Sequence, residues 1–197
     1  MILCDAELRE AIASGALVID GMAADAIQPA SIDLRLGDAF HRPATEAIAA
    51  VDNIDGKWRA RLHDGTTSVV PYVGTTIDRW EGENRGGYVL HPGDFVLAHT
   101  HERIIIPDDA VARVEGKSSV GRVGLLVHVT AGYIDPGFAG TITLEVVNVS
   151  RSTVILRPGI FIAQLSVIRM ARRAARPYGA DGLGSKYQNQ ASPTGVR

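Results

Sequence analysis

The 197-residue chain has one cysteine, Cys4. No intrachain disulfide can form, and the thiolate-rich zinc sites are excluded with it. Long apolar runs are missing too: none approaches the roughly 18 residues that a membrane-spanning helix needs. Neither sign of charge dominates. Lys plus Arg number 20 against 22 for Asp plus Glu, a net charge of -2. The basic surface of a non-specific nucleic-acid binder is therefore absent. The N-terminus, MILCDAELRE, carries acids where a secretory signal would carry lysines ahead of an apolar stretch. These absences point to a cytoplasmic protein, with neither nucleic acid nor membrane as a partner.

What is present fits one domain over residues 1–197, with 46% hydrophobic and 21% charged residues. Residues 5–14 read as a short helix with Asp5 as N-cap, an apolar face of Leu8, Ala11 and Ile12, and Gly15 as the stop. After residue 20, short runs rich in Val, Ile, Leu and Thr alternate with Gly, Pro and Asp: SIDLRLG, GYVLHPGDFVLAHT, VGLLVHVTAGYIDPG, TITLEVVNVS, STVILRPGIFIAQLSVIRM. The pattern predicts a mostly β fold, a sandwich or barrel. Residues 41–87 are more polar and read as a loop-rich insertion with a hairpin or two. HPGDFVLAHT (91–100) echoes RPGIFIAQLS (157–166), as two similar hairpins with tight turns would. The tail, 177–197, is polar, yet holds two tyrosines, a lysine and two glutamines.

The densest chemistry lies between residues 113 and 148. GKSSVGR, with Lys117, Ser118, Ser119, Val120, Gly121 and Arg122, packs cations, hydroxyls and glycines as an anion site would, or as a solvated turn would. It is not a Walker loop. In TITLEVVNV, Ile142, Leu144 and Val146 share one face and Thr143 and Glu145 the other, so Glu145 lies on a solvated face or at a functional site. Asp135, in YIDPGF, is either a turn residue or a substrate contact. His128 reads as a satisfied histidine in a packed strand, and no metal-ligand cluster is expected.

These residues identify a resemblance. The sequence is similar to the dCTP deaminases of the trimeric dUTPase-like superfamily through MILCDAEL, IQPASIDLRLG, HPGDFVLAHT, EGKSSVGRVGLLVHVTAGYIDPGFAGTITLEVVNV, RPGIFIAQL, ARPYG and SKYQNQ. The resemblance implies a dUTPase-like distorted β-barrel or jelly roll with a short N-terminal helix. It implies a flexible C-terminal tail, 177–197, that closes as a lid over the nucleotide, and a homotrimer with active sites at subunit interfaces. It implies hydrolysis of dCTP to dUTP and ammonia without zinc, the triphosphate carrying Mg²⁺, and dTTP as a candidate inhibitor.

By position, Glu145 would activate the water, with Arg122 and Ser118 orienting the site. Lys117, Ser118, Ser119, Val120, Gly121 and Arg122 would hold the triphosphate. Asp135 would bind the 3′-hydroxyl, Phe138 would pack on the sugar, and the main chain around Thr143 and Leu144 would read the pyrimidine. Gln164, Tyr178, Lys186 and Gln190 match later phosphate and base contacts. Members that only deaminate often carry Ala at Gly121 and His at Gly132; members that also cleave dUTP to dUMP and diphosphate resemble the sequence here. VHVTA looks more like the deaminase-only branch. A dUTPase without deamination is disfavoured by Glu145, and a non-catalytic nucleotide sensor would lack turnover.

Overall fold

The structure is a computed structural model that describes residues 1–43, 48–54, 57–64, 67–69, 75–79, 87–130 and 132–193. The chain begins with α1 (Asp5–Ala13), β1 (Val18–Asp20), β2 (Ile27–Gln28), β3 (Ser31–Arg35) and β4 (Ala39–Pro43). β5 (Ile48–Ile54), β6 (Lys57–Leu62), β7 (Thr67–Val69) and β8 (Thr75–Arg79) follow, then β9 (Tyr88–Leu90), β10 (Phe95–Ile105), β11 (Ala110–Gly116) and α2 (Ser118–Gly121). The last strands are β12 (Leu125–Leu126), β13 (Tyr133–Ile134), β14 (Ala139–Asn148), β15 (Val154–Leu156) and β16 (Phe161–Arg169).

Two antiparallel sheets carry the fold. One runs β13-β11-β16-β3-β2; the other runs β12-β14-β10-β4-β8, with β1 also on β10. Alternation decides which side chains meet between them. Ile32 and Leu34 of β3, Ala112 and Val114 of β11, and Leu165 and Val167 of β16 join one core with Val96 and Ala98 of β10 and Ile142, Leu144 and Val146 of β14. The mostly β fold read from the sequence is the fold observed.

Four local expectations are corrected. The helix N-cap is Cys4 rather than Asp5, because Glu7 reaches back to accept the Cys4 N–H (3.0 Å) and Asp5 donates its N–H to Pro29 O (3.0 Å). VGLLVHVTAGYIDPG is not one strand: among its described residues only Leu125–Leu126 and Tyr133–Ile134 pair, and α2, a single turn, precedes them. His128 therefore lies outside any strand, and both its ring nitrogens are buried without a partner among the described residues. The 41–87 region is strand-rich rather than loop-rich where it is described. β5, β6 and β7 form an antiparallel meander, and β8 pairs with β4 from Ala39↔Arg79 to Pro43↔Thr75. Residues 44–47, 55–56, 65–66, 70–74 and 80–86 of that region lie outside the described set, as do 194–197 of the tail.

The sequence echo has a structural counterpart. β9 and β15 pair with each other, and each runs through a Pro-Gly turn into a long strand, β10 or β16. Gly93 and Gly159 both sit at positive φ (83° and 87°), the conformation that these tight turns require.

β10 is interrupted by a bulge. Its register on β14 passes from His99↔Thr143 to Arg103↔Thr141. The Thr100 hydroxyl accepts the Ile142 N–H (2.9 Å) and donates to Glu102 O (2.8 Å). Glu102 thereby turns inward, fully buried, and its carboxylate accepts the Arg35 N–H and Nε–H, both at 2.9 Å. This pair clips the two sheets together.

Candidate active site

Glu145 lies on the face of β14 opposite the core, half-buried. The N–H (3.1 Å) and the hydroxyl (3.2 Å) of Thr130 both donate to its Oε2. Thr130 lies four residues beyond β12, which pairs antiparallel with β14 at Leu125↔Asn148 and Leu126↔Val147.

β14 has three neighbours, β10 on one side and β12 and the tail on the other, and the direction of its main-chain groups explains how they share it. Ile142 and Asn148 donate toward the β10 side, to Thr100 Oγ1 (2.9 Å) and Asp94 O (3.2 Å). Thr141 and Val149 donate the other way, to Gln190 O (3.0 Å) and Gly124 O (2.9 Å). In a strand, N–H and C=O groups alternate sides with each residue, so the main chain of Thr143 and Glu145 also points outward. β12 covers the edge at Val147 and Asn148; the tail covers it at Ala139–Thr141; between them, Thr143 and Glu145 have no main-chain partner on that side among the described residues. Leu144, by contrast, turns its side chain into the core and its main chain toward β10.

The tail is docked as a strap. Gln188 clamps the start of β14: its Oε1 accepts the Ala139 N–H (3.1 Å) and its Nε2 donates to Gly137 O (3.0 Å). Asn189 N–H donates to Ala139 O (2.7 Å), and Gln190 Nε2 donates to Thr141 O (2.7 Å) and Thr143 Oγ1 (3.2 Å). The other amide atom of Gln190, Oε1, is buried and has no donor among the described residues. Tyr178 tilts against Phe138, ring centres 5.9 Å apart, and its hydroxyl accepts the Tyr187 N–H (3.0 Å). Gly140 has φ 145°, and a Cβ there would come within 2.9 Å of Gln190 O, so this glycine is what lets the strap lie flat. Lys186 is exposed.

Asp135 occupies the turn before β14, its carbonyl accepting the Phe138 N–H (3.2 Å) and its side chain exposed. Lys117 is the N-cap of α2; Ser118, Ser119, Gly121 and Arg122 are exposed around it, while Val120 packs on the core. Gln164 sits on β16 between Glu115 of β11 and Asp33 of β3. Glu145, Thr143, Gln190, Phe138 and Tyr178 thus gather along β14. Lys117 and Gln164 gather on the other sheet. No hydrogen bond or ion pair among the described residues joins the 117–122 turn to Glu145.

The family model for dCTP deaminase-like proteins matches residues 2–170. The chain belongs to the dCTP deaminase-like family. It is 43% identical over 197 residues to a protein of Mycolicibacterium vanbaalenii named "dCTP deaminase, dUMP-forming", covering all of this chain and 95% of the relative. A protein of Nocardia farcinica with the same name is 44% identical, covering all of this chain and 91% of the relative. Among solved structures, the 2′-deoxycytidine 5′-triphosphate deaminase of Agrobacterium tumefaciens shares the fold at a TM-score of 0.59 and 24% identity, over 84% of this chain and 47% of that one.

Gly132 and Gly121 differ in the room around them. A Cβ at Gly132 would come 2.7 Å from Val114 O, whose own N–H donates to Gly132 O (2.8 Å), so a larger residue there requires a different backbone. A Cβ at Gly121 would meet nothing within 4 Å.

The sequence reading missed Thr130, Gln188 and Asp33. Thr130 and Gln188 carry no local signal. Asp33 does: it breaks SIDLRL as Glu145 breaks TITLEV. His99-Thr100-His101 is also a spaced histidine pair, but the bulge sends His99 inside and His101 to the surface. No group of three His, Cys, Asp or Glu among the described residues is placed to hold a metal ion. Among the described residues, no helix is long and apolar enough to cross a membrane.

Proposed function

We propose that the chain hydrolyses the 4-amino group of dCTP, dCTP plus water giving dUTP plus ammonia. The observation that carries this reading is the juxtaposition on β14 of a tethered carboxylate and a stretch of main-chain edge with no partner among the described residues. A pyrimidine's alternating donors and acceptors suit the outward groups of Thr143 and Glu145. Thr130 fixes Glu145 Oε2 and leaves Oε1 to take a proton from water as its oxygen attacks C4. The same carboxyl then delivers the proton to the departing amine. Such general acid–base work accounts for about 10²–10⁴-fold of a rate. Arg122 and Ser118 would stabilise the charge of the tetrahedral adduct.

Zinc is not needed in this reading. The Cys and His ligands of zinc deaminases have no counterpart here, where the one cysteine is exposed beside α1. Lys117, Ser119 and Gly121 would meet the triphosphate. Mg²⁺ takes oxygen ligands and keeps its waters; the triphosphate would carry it. A homotrimer with shared sites fits a chain in which no hydrogen bond or ion pair among the described residues joins the 117–122 turn to Glu145. The exposed Val123, Leu126, Val129, Tyr133 and Val149 support it as well. The strap would close over the nucleotide. Location in the cytoplasm fits the free Cys4, and dTTP is the candidate inhibitor.

A second reading, cleavage of the dUTP to dUMP and diphosphate in the same site, is supported by the names of the relatives and by Gly132. Incubating the protein with dCTP and Mg²⁺ and resolving the products by ion-exchange chromatography decides. dUTP means deamination alone; dUMP with diphosphate means both steps; unchanged dCTP overturns the proposal.

A further inference from the structure

Asp33 stands between Ile32 and Leu34, both fully buried in the core, and so faces away from it. That outer face is not open water, since Asp33 is only 6% exposed. Its Oδ2 accepts from Lys117 Nζ, and its Oδ1 is buried with no donor among the described residues. Lys117 is pinned elsewhere too. Its N–H donates to Ile162 O (3.1 Å), its carbonyl accepts the N–H of Val120 and of Gly121 (both 3.0 Å), and Nζ lies 5.7 Å from the Phe161 ring centre. The register Glu115↔Gln164↔Asp33 puts Gln164 beside the pair.

A lysine ammonium is a point charge on a flexible stem, and a buried carboxylate without a partner is strongly disfavoured. Each group therefore fixes the other, leaving the remaining N–H donors of Lys117 for a ligand. We infer that Asp33 is a positioning residue that holds the Lys117 ammonium in place for a phosphate group. The inference rests on the reading of Lys117 as a triphosphate contact.

The chain has three lysines, Lys57, Lys117 and Lys186, so ammonium signals of nitrogen-labelled lysine can be assigned with Lys117→Arg. In the wild type, the Lys117 signal should be narrow and protected, and inorganic tripolyphosphate in EDTA should shift it. In Asp33→Asn it should be lost to solvent exchange. A signal indifferent to Asp33→Asn overturns the pairing. A signal that responds to Asp33→Asn and ignores tripolyphosphate overturns the phosphate role while leaving the deaminase reading to the product assay. Kinetically, Asp33→Asn should lower kcat/KM for dCTP at least about tenfold, but by less than about twofold in a Lys117→Met background. Equal losses in both backgrounds would make Asp33 merely structural. The uncharged double variant, checked by thermal unfolding, controls for folding.

Discussion

Glu102 on β10 and Glu145 on β14 occupy neighbouring strands of one sheet, and their surroundings are opposite. The Glu102 carboxylate is fully buried and meets Arg35 through both oxygens. Glu145 is half-buried, and Thr130 engages one oxygen only. Asp33 falls between them, buried like Glu102 yet with one oxygen unmet among the described residues. The lesson is that burial alone does not mark a working carboxylate. What separates a structural acid from a chemical one is how many of its lone pairs the fold has already used.

The sharpest way to break this comparison is Glu145→Gln. Deamination should fall by about 10²–10⁴-fold while dCTP binding survives, measured as ammonia release beside equilibrium binding; undiminished release would remove Glu145 from the chemistry. Glu102→Ala should do the reverse. Leaving Arg35 without its partner should lower the free energy of unfolding by about 3–5 kcal/mol, and a denaturant melt within error of wild type would show that the clip is dispensable. Thr130→Val keeps the N–H donor and removes the hydroxyl, so kcat should drop by roughly tenfold with KM little changed. A change confined to KM would mean that Thr130 binds substrate instead.

The smallest expected effect concerns His99, a buried polar group that the fold satisfies in its neutral form. Its Nε2 accepts the Ala39 N–H (3.2 Å), and its Nδ1 donates to Thr100 O (2.9 Å), a tautomer assigned from those partners. Burial, opposed by Thr100 and Asp38, holds its pKa below the ordinary 6.5, and burial does the same at His41. The unfolded chain therefore binds more protons just below pH 6.5. Stability should be full above that pH and decline as pH falls through it. His99→Gln should flatten the decline in melts compared at pH 8 and pH 5.5. A wild type equally stable at both would refute the argument.

Much of this was legible in the residues. Alternation in TITLEVVNV placed Ile142, Leu144 and Val146 inward and Glu145 outward, because strand geometry fixes side-chain direction without reference to neighbours. Pro-Gly turns and apolar runs located the long strands. The remainder depends on contacts distant in sequence. Nothing near Glu145 announces that Thr130 tethers it, and nothing near Lys117 announces Asp33. The same alternation that exposed Glu145 was present at Asp33, but the partner that gives it meaning arrives from another strand. VGLLVHVTAGYIDPG reads as one strand-length run from composition, whereas its first pair joins β14 and its second joins β11, where Gly132 O accepts the Val114 N–H.

The docked tail also bears on solubility. An uncovered strand edge is a template for any passing extended chain, including another copy of itself. The strap occupies that edge at Ala139–Thr141, and β12 caps its far end. A chain ending at Pro177 would therefore present a row of unanswered donors and acceptors along the outer edge of β14. Residues 178–193 thus cover a strand edge that would otherwise be open to sheet-to-sheet pairing, whatever they do for the nucleotide.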